Sequence, residues 1–556
     1  MNKKGIVIIS SLCLLLGNNT SLAGDRTERE MLSIAATQFA KGGKTRSAQN
    51  IEKLADESTY AVYGNNEQGF VIVSRDDNFT PVLAYSDTKF DAANLPAGMQ
   101  WWLGAITARM ESGAQRAYTR TVDYTPTEAL CATKWGQGDP YNFLAPLFNG
   151  EHAPSGCVAT AMSQIMKYFA YPAQGKGDGY YTIDGSTSRV NEKIEGVYQW
   201  DKMLNTYETY NLTDEQRMPV ARLMKDAALA THMDYGASGS GSYSVIASRG
   251  FAYNFAYDSL ALHCYYRDFF SNEMWMNTIY SELSSGRPIL YTGAGASGGH
   301  AFVFDGFDAN GNIHVNWGWD GVCNGYYDIA DLTPIDQAGS KNYGVYNSDQ
   351  SMVFGFKCQE TPDENETYAS LWCTDTNKRY TLGLEGKILE VQSPAIYNFH
   401  FLWFWGKLGA NFENLDGDSS KDTFIKIGQD QNEIPTFRGT QDINNSVFIT
   451  KVKPGKYKVY LASWAINEEK CQPIRCLGGA PYYEITITED GKTSISEQKW
   501  MDDTSSTTGI SSVKTNNGTN ATKSATIYTL DGRNMGTNPS ALPKGIYIIN
   551  GRKVIK

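Results

Sequence analysis

The chain has 556 residues and a formal net charge of −11 at pH 7, and this length is enough for several domains. The acidic balance argues against nucleic-acid binding and against electrostatic docking on anionic membranes. Nine cysteines are few for this length, so the chain is not a disulfide scaffold. The 6 histidines form no H-E-x-x-H or comparable cluster, and we expect neither a catalytic metal nor a cofactor.

Residues 1–23 are predicted to be a secretory signal peptide. Lys3 and Lys4 give a basic start, residues 6–16 form an apolar run, and Ala23 ends a small-residue cleavage pattern. The apolar run is too short to span a bilayer, and no later stretch is suitable for a transmembrane helix. We therefore expect export through the periplasm, to the medium or to the outer surface, without a membrane span.

Residues 24–121 are predicted to form a small α/β domain. Their apolar spacing predicts helices over 26–41 and 99–117 and short strands over 60–63, 69–74 and 82–86. The pattern taken alone fits an ordinary accessory domain. Residues 116–125 are polar and lack apolar periodicity, so we expect a proteolytic cut there.

Within residues 122–358, a helix is predicted to begin at Cys157. Apolar residues recur at spacings of three and four from Val158 to Phe169, and Pro172 closes the run. The first amides of a helix lack intrahelical partners, and the helix dipole favours negative charge there. A thiol at this position is expected to have a lowered pKa and to act as a nucleophile. The alternative is a buried structural cysteine.

His300 lies 143 residues after Cys157 and opens a strand-like run, HAFVFDGF. A turn at residues 308–311 precedes a returning strand over 312–319 that contains Asn316. A cysteine on an early helix, with histidine and asparagine on later strands, is the order found in papain-like cysteine peptidases. There the imidazole takes the thiol proton and later protonates the leaving amine.

Four blocks in this order resemble the streptopain family of bacterial cysteine peptidases, which includes the interpains: WGQGDPYNFLAP, GCVATAMSQIMKYF, GGHAFVFDGF and HVNWGWDG. The resemblance covers roughly residues 25–358. It implies a papain-like α+β peptidase domain over 122–358, preceded by an α/β propeptide that inhibits the enzyme and assists its folding. Protein or peptide substrates are implied as well.

The resemblance also implies roles for residues around the predicted nucleophile. Gln137 would stabilise the oxyanion together with the backbone N–H of Cys157, since a side-chain amide can serve as such a donor. Gly299 would meet the substrate backbone. Residues 233–243 are too rich in glycine and serine for a core element, and composition alone fits a flexible surface loop equally well. The resemblance implies that this stretch borders the substrate cleft, with Ser242 as its candidate residue.

The roles of Asn316 and Trp317 depend on strand register, because a one-residue slip turns every side chain to the other face. If residues 310–311 form a two-residue hairpin turn, Phe304 lies opposite Trp317. Trp317 then faces His300 as a hydrophobic screen, and the side chain of Asn316 points away. A three- or five-residue loop reverses this arrangement. We expect the first register, with Asn316 or its backbone orienting His300.

The C-terminal third differs in character from the rest. Residues 359–498 contain strand-like pieces separated by turns at short intervals, which predicts a β-sandwich, and residues 499–525 form a polar linker. The end of the chain, residues 526–556, resembles the small all-β sorting domain of proteins exported by the type IX secretion system. This resemblance implies that the secretion machinery is a partner. The alternative is one more hairpin of the preceding β module, and we favour sorting because the segment follows a linker.

The leading hypothesis is a secreted cysteine endopeptidase made as a zymogen, which hydrolyses peptide bonds through a thioester on Cys157. An amidase or a transpeptidase could use the same Cys157–His300 dyad and differ only in the nucleophile that resolves the thioester. The alternative from another class is a non-catalytic surface protein that binds or adheres. The intact dyad residues argue against it.

Overall fold

The structure is a computed structural model that describes residues 24–41, 51–65, 69–111, 124–207, 212–259, 261–267, 270, 272–295, 298–330, 348–359, 371–373, 380–398, 404–435, 439–466, 468–476, 480–501, 527–529, 546–549 and 552–555. It divides into two compact units, Met1–Ile510 and Ser511–Lys556. The predicted signal peptide, residues 116–123 of the predicted cut region and most of the predicted linker lie outside the described residues.

The helices of the described residues are α1 (Glu28–Lys41), α2 (Ala97–Glu111), α3 (Cys157–Phe169), α4 (Asp214–Ala230), α5 (Ser244–Tyr253) and α6 (Asn272–Ser284). The predictions for α1 and α3 are confirmed, and α2 begins two residues before its predicted start at Met99. The backbone of Ala170 turns left-handed after α3, and the amide of Tyr171 bonds the carbonyl of Met166. This cap ends the helix before Pro172, as the sequence predicted.

The strands before residue 360 are β1 (Glu52–Asp56), β2 (Tyr60–Asn65), β3 (Gly69–Ser74), β4 (Val82–Ser86), β5 (Leu147–Phe148), β6 (Glu151–His152), β7 (Asp178–Ile183), β8 (Val190–Lys193), β9 (Asp234–Tyr235), β10 (His263–Tyr266), β11 (Ile289–Gly295), β12 (Gly298–Phe307), β13 (Ile313–Asn316), β14 (Gly325–Tyr327) and β15 (Ser348–Phe354). The predictions for β2, β3 and β4 are confirmed. The polar strand β1 had no apolar alternation and was not predicted.

Ten of these strands form one antiparallel sheet in the order β1-β2-β3-β4-β14-β13-β12-β11-β15-β10. Strands β1 to β4 belong to the predicted propeptide. They join the remaining six through pairing of β4 with β14, where Tyr85 lies opposite Tyr326 and Ser86 opposite Gly325. A Cβ atom on Gly325 would come within 2.3 Å of the Tyr85 carbonyl, so glycine permits this close approach.

Two apolar cores cover opposite faces of this sheet. On one face, α2 and α6 bury their aromatic residues against Phe302 and Trp317. On the other face, α3, α4 and α5 pack against Ala301 and Val303. Because side chains alternate along β12, consecutive residues of this strand belong to different cores, and the strand that carries His300 is buried from both sides.

The strands from residue 371 to residue 500 are β16 (Trp372–Cys373), β17 (Thr381–Glu385), β18 (Ile388–Ser393), β19 (Ile396–Tyr397), β20 (Phe404–Asn414), β21 (Thr423–Lys426), β22 (Asn432–Ile434), β23 (Ile443–Phe448), β24 (Gly455–Ala465), β25 (Gln472–Pro473), β26 (Pro481–Ile487), β27 (Thr493–Ile495) and β28 (Lys499–Trp500). The sheet β17-β18-β23 and the larger sheet centred on β20-β24-β26 share one apolar core. Strand β28 pairs with β26 just beyond the predicted boundary at residue 498.

The second unit contains a three-stranded antiparallel sheet of β29 (Ile527–Thr529), β30 (Ile546–Ile549) and β31 (Arg552–Ile555). Its strands fall within the predicted sorting segment. Across the described parts of both units, no helix combines the length and the apolar character needed to cross a membrane.

Candidate active site

Cys157 is the first residue of α3, as predicted. The preceding residue, Gly156, has a φ of 92°, a conformation that glycine adopts without steric cost. A Cβ atom on Gly156 would lie 2.5 Å from the methyl carbon of Met233. The chain therefore needs glycine here to turn sharply into the helix and to present the Cys157 thiol at the helix start.

The pKa of the Cys157 thiol is raised by burial, which corrects our expectation of a lowered pKa. Hydrogen bonds from the backbone amides of Ala301 and Val158 to the sulfur act in the opposite direction but are outweighed. Among the described residues no positive charge stabilises the thiolate, and an adjacent cation is what usually lowers such a pKa. In this state the helix start alone does not ionise the thiol.

His300 lies on β12, directly opposite Gly293 of β11. Burial lowers the pKa of its imidazole below 6.5, so the ring is neutral at pH 7. Its Nε2 atom is buried and has no hydrogen-bond partner among the described residues. A neutral imidazole is the form that can accept a proton.

Cys157, His300 and Gln137 line one cleft of about 900 Å³. The backbone carbonyl of Gln137 accepts a hydrogen bond of 3.0 Å from the amide of Ser155, and this bond holds the Gln137 loop beside the start of α3. The hydroxyl of Thr160 on α3 donates to the carbonyl of Gly136 at 3.3 Å. The structure thus brings together the three residues that the sequence suggested for nucleophile, base and oxyanion donor.

Asn316 points away from His300, into the interior on the side of α3. Its Nδ2 donates to the carbonyl of Thr133 at 2.7 Å and to Oε1 of Gln164 at 3.0 Å. Its Oδ1 accepts from Nε2 of Gln164 at 3.2 Å and from the amide of Gly318 at 3.1 Å. This side chain is only 1% exposed, and its contacts tie the end of β13 to α3.

Trp317 occupies the opposite face, on which strand alternation also places His300. Its ring lies 4.8 Å from that of Phe302 between centroids, and its Nε1 donates to the carbonyl of Cys323 at 3.1 Å. The predicted faces of Asn316 and Trp317 are therefore those observed, but the predicted pairing is wrong. Phe304 lies opposite Val315 rather than opposite Trp317.

The length of the hairpin loop and a bulge in β12 offset each other, so that Asn316 and Trp317 keep the predicted faces. The closing pair of the hairpin is Phe307 with Ile313, so the loop spans five residues, the case expected to turn Asn316 toward His300. A bulge between Phe304 and Gly306 then shifts the register by one residue and restores the original faces. A Cβ atom on Gly306 would lie 2.7 Å from the carbonyl of Thr127, so this close approach requires glycine.

Gly299 and Ser242 both border the space around Cys157. Gly299 is exposed and lines the cleft, and a Cβ atom there would meet nothing closer than 3.9 Å. Ser242 lines an adjoining cavity together with Cys157 and His300, and its hydroxyl donates to the backbone carbonyl of Thr231. Both residues thus lie at the cleft surface near Cys157, and the hydroxyl of Ser242 is already engaged.

Comparison with known proteins identifies the family of this chain. The model of the Peptidase C10 family matches residues 135–327. Streptopain of Streptococcus pyogenes serotype M28 (strain MGAS6180) is 34% identical over 400 residues, which cover 64% of this chain and 100% of that protein. The chain belongs to the peptidase C10 family. It is a cysteine peptidase of the streptopain type, as the sequence motifs indicated.

Two further relatives of this C10 peptidase come from other bacteria. Thiol protease/hemagglutinin PrtT of Porphyromonas gingivalis is 30% identical over 376 residues, which cover 62% of this chain and 43% of PrtT. The solved structure of a mutant fragment of Prevotella intermedia prointerpain A is matched with a TM-score of 0.50 and 30% identity, over 57% of this chain and 99% of that fragment.

The N-terminal region of the C10 peptidase matches a second family model, Spi protease inhibitor, over residues 25–110. It therefore carries an inhibitor-type propeptide, and α2 of this propeptide contacts the strands of the site. Nε1 of Trp101 donates to the carbonyl of Ala294 on β11 at 3.0 Å. A Cβ atom on Gly98 would lie 2.7 Å from the ring of Trp317, and Ala97 itself lines the cleft.

Sequence reasoning missed Asp320, which also lines the cleft. Its carboxylate accepts a hydrogen bond from the side chain of Tyr141 and packs so closely on Gly136 that a Cβ atom there would lie 2.4 Å from Oδ2. Asp320 thus buttresses the loop that carries Gln137. The available signal was its position directly after the tryptophans of the HVNWGWDG block.

Within the described ranges, no three His, Cys, Asp or Glu side chains are grouped so as to hold a metal ion.

Proposed function

We propose that this C10 peptidase is a secreted cysteine endopeptidase made as a zymogen, with Cys157 as nucleophile and His300 as proton carrier. The observation that carries the proposal is the meeting of Cys157, His300 and Gln137 in one cleft. The match to streptopain along its full length supports the same residue roles.

The reaction would begin with transfer of the Cys157 proton to His300. The sulfur attacks the peptide carbonyl, and the negative oxygen accepts hydrogen bonds from the Cys157 amide and the Gln137 side chain. When the intermediate collapses, the C–N bond breaks, His300 protonates the leaving amine, and a thioester remains on the sulfur. Water, deprotonated by His300, then attacks the thioester, which releases the carboxylic acid and restores the thiol.

The propeptide would keep the enzyme latent by holding the strands around His300. Trp101 is fully buried and bonds β11, the strand that pairs with β12 at His300. In this state burial raises the pKa of the Cys157 thiol and lowers the pKa of His300. Both shifts disfavour the thiolate–imidazolium pair that the reaction requires. Cleavage within residues 116–125 and release of the propeptide would lower this barrier.

We propose the same division of the rest of the chain that the sequence suggested. Residues 359–498 would form a β-sandwich, to which we assign no activity, and two sheets around one core support this assignment. Residues 526–556 would be read by the type IX secretion machinery. Their compact three-stranded sheet in a unit of its own is compatible with a separate sorting domain.

The direct test is the Cys157→Ala variant of the full-length chain. We expect no hydrolysis of casein and accumulation of the unprocessed zymogen, because the same nucleophile would carry out maturation. The buried Cys131→Ala variant is the matched control and should mature normally. Undiminished hydrolysis by folded Cys157→Ala enzyme would exclude Cys157 as nucleophile. Normal processing without hydrolysis would show that another peptidase performs the maturation.

A further inference from the structure

Two short segments of the C-terminal part of the chain, each with a cysteine, run side by side. Trp372 and Arg475 form a parallel β-bridge between them. The amide of Cys373 donates to the carbonyl of Arg475 at 2.8 Å, and the amide of Arg475 donates to the carbonyl of Leu371 at 3.0 Å. This register places the next residue of each segment, Cys373 and Cys476, opposite each other.

The side chains of both cysteines point into the same core. The guanidinium of Arg475 lies over the ring of Trp372, 5.9 Å from its centroid, so the bridged pair shares one face of the two segments. Because side chains alternate along extended backbone, the cysteines face the opposite way. Cys373 is 4% exposed and Cys476 is 0% exposed, and both belong to the apolar core of the C-terminal sheets.

The two thiols are in contact with each other. They form a hydrogen bond, and Oγ of Ser393 lies 3.5 Å from Sγ of Cys373. Neighbouring strands lie about 4.8 Å apart, and a disulfide joins Cα atoms that are about 4.4–6.8 Å apart. A single buried cysteine is ordinary core packing, whereas two opposed cysteines with hydrogen-bonded thiols have the spacing that a disulfide requires.

Cys471 is close to Cys476 in the sequence but lies on the other side of the sheet. Its thiol is hydrogen-bonded to Tyr460 on β24. Val459 and Leu461, the neighbours of Tyr460, belong to the core, so strand alternation places Tyr460 on the outer face. Cys471 therefore lies beside the outer face, while Cys476 lies in the core and faces the other segment.

The cysteine pair is next to a contact between the peptidase domain and the C-terminal sheets. The ring of Trp372 packs on Phe270 and Tyr265, with centroid distances of 5.3 and 6.2 Å. Trp372 thereby belongs to the aromatic core of the large sheet. Its own strand, β16, has only two residues and pairs with β19. A short strand with few backbone bonds therefore carries this contact between two cores.

We propose that Cys373 and Cys476 are joined by a disulfide when the chain is exported, and that this bond holds β16, and with it Trp372, in place. The two cysteines are 103 residues apart, and closing so long a loop removes conformational entropy from the unfolded chain. The periplasm supplies the oxidising conditions that such a bond requires. The inference goes beyond the proposed peptidase function and concerns residues outside the active site.

The bond forms by thiol–disulfide exchange with a reactive protein disulfide of the periplasm. The thiolate of one cysteine attacks that disulfide, and a mixed disulfide results. The second cysteine then attacks the sulfur of the first, so the new S–S bond closes and the oxidant leaves as a dithiol. The two cysteines lose two protons and two electrons, which the oxidant gains. Since both cysteines are buried in the folded chain, the exchange takes place before this core closes.

The first test uses the full-length Cys157→Ala chain recovered from the periplasm, since this variant should not digest itself. The chain is denatured with iodoacetamide in the absence of reductant, digested and mapped by mass spectrometry. We expect the peptides of Cys373 and Cys476 to be unlabelled and joined, about 2 Da lighter than the two separate thiol peptides. Cys471 is the internal control and should carry the label.

The second test measures hydrogen exchange of the native chain in two forms, one recovered from the periplasm and the other produced in a reducing cytoplasm. Backbone amides of β16 should exchange at least about tenfold faster in the reduced form, because no covalent bond opposes local opening there. The double variant Cys373→Ala/Cys476→Ala should show no difference between the two forms.

A joined pair together with faster exchange in the reduced form supports the proposal. Labelling of both Cys373 and Cys476 without reductant overturns it, and so does a bond from either residue to Cys471. A joined pair with equal exchange rates in the two forms overturns the role of the bond in holding β16.

Discussion

Asn316→Ala should lower the free energy of unfolding substantially and should lower kcat only slightly. The Asn316 side chain makes four hydrogen bonds while 1% exposed, two of them in a reciprocal amide pair with Gln164. At about 1 kcal/mol net for each bond, its loss should reduce the free energy of unfolding by about 4 kcal/mol. None of these partners is His300, so kcat should fall less than about tenfold, against about 10⁴ when a group that holds the histidine tautomer is removed.

The assay pairs urea unfolding of the zymogen with kcat/KM of the matured enzyme, measured well below the unfolding temperature. Gln164→Leu is the matched variant, because it removes the other half of the amide pair. The double variant should cost less stability than the sum of the two single variants, since their interaction is shared. A folded Asn316→Ala enzyme with unchanged stability and a loss of about 10⁴ in kcat would refute the reasoning and establish a Cys–His–Asn triad.

Three further predictions concern latency and export. Because burial raises the pKa of Cys157 in the zymogen above its ordinary value of 9.0, alkylation of this thiol by iodoacetamide should be slow at pH 7, should rise only above pH 9.0, and should become faster at pH 7 once the propeptide is released. Equal rates before and after propeptide release would contradict this. Trp101→Phe removes the bond to Ala294 and should weaken inhibition by the isolated propeptide about tenfold, whereas Tyr63→Phe, within the propeptide, should not; an unchanged inhibition constant for Trp101→Phe would reject the contact as a latency element. Deleting the chain from Thr526 should preserve peptidase activity and block export past the outer membrane, and normal extracellular levels of the truncated enzyme would reject the sorting role.

The helix that presents Cys157 was predictable because its apolar spacing is local. Residues from Val158 to Met166 are buried, and the left-handed cap at Ala170 ends the helix just before Pro172. The position of Cys157 at the helix start follows from these neighbours alone. Its pKa did not follow, because that depends on how deeply the propeptide-bound enzyme buries the thiol.

The hairpin between His300 and Trp317 shows why register was harder to predict. The bulge residue Asp305 is fully buried, accepts from the Cys131 amide at 2.9 Å, and pairs with His314 at 2.6 Å. The partner Cys131 lies 174 residues away. A local pattern contains neither this contact nor the resulting one-residue shift, and the predicted faces were correct because the loop and the bulge offset each other.

The sequence also did not predict that the propeptide and the peptidase domain share one sheet. Strand β14 has only three residues, Gly325–Tyr327, too few for alternation to be read. Its pairing with β4 depends on contacts between segments that are distant in the sequence. Gly325 allows the Tyr85 carbonyl to approach closely, and the ring of Tyr326 stacks on that of Tyr85 with 5.0 Å between centroids.

The most direct measurement is the site of covalent labelling by an epoxide peptide probe, mapped by mass spectrometry on the matured enzyme. Cys157 lines the cleft that also contains His300 and Gln137. Cys358 is exposed as a residue, but desolvation of its sulfur raises the pKa of that thiol to about 12. We predict modification of Cys157 alone, with loss of casein hydrolysis in proportion to labelling. Inactivation with the label on Cys358, or on any cysteine other than Cys157, would contradict the assignment of the nucleophile.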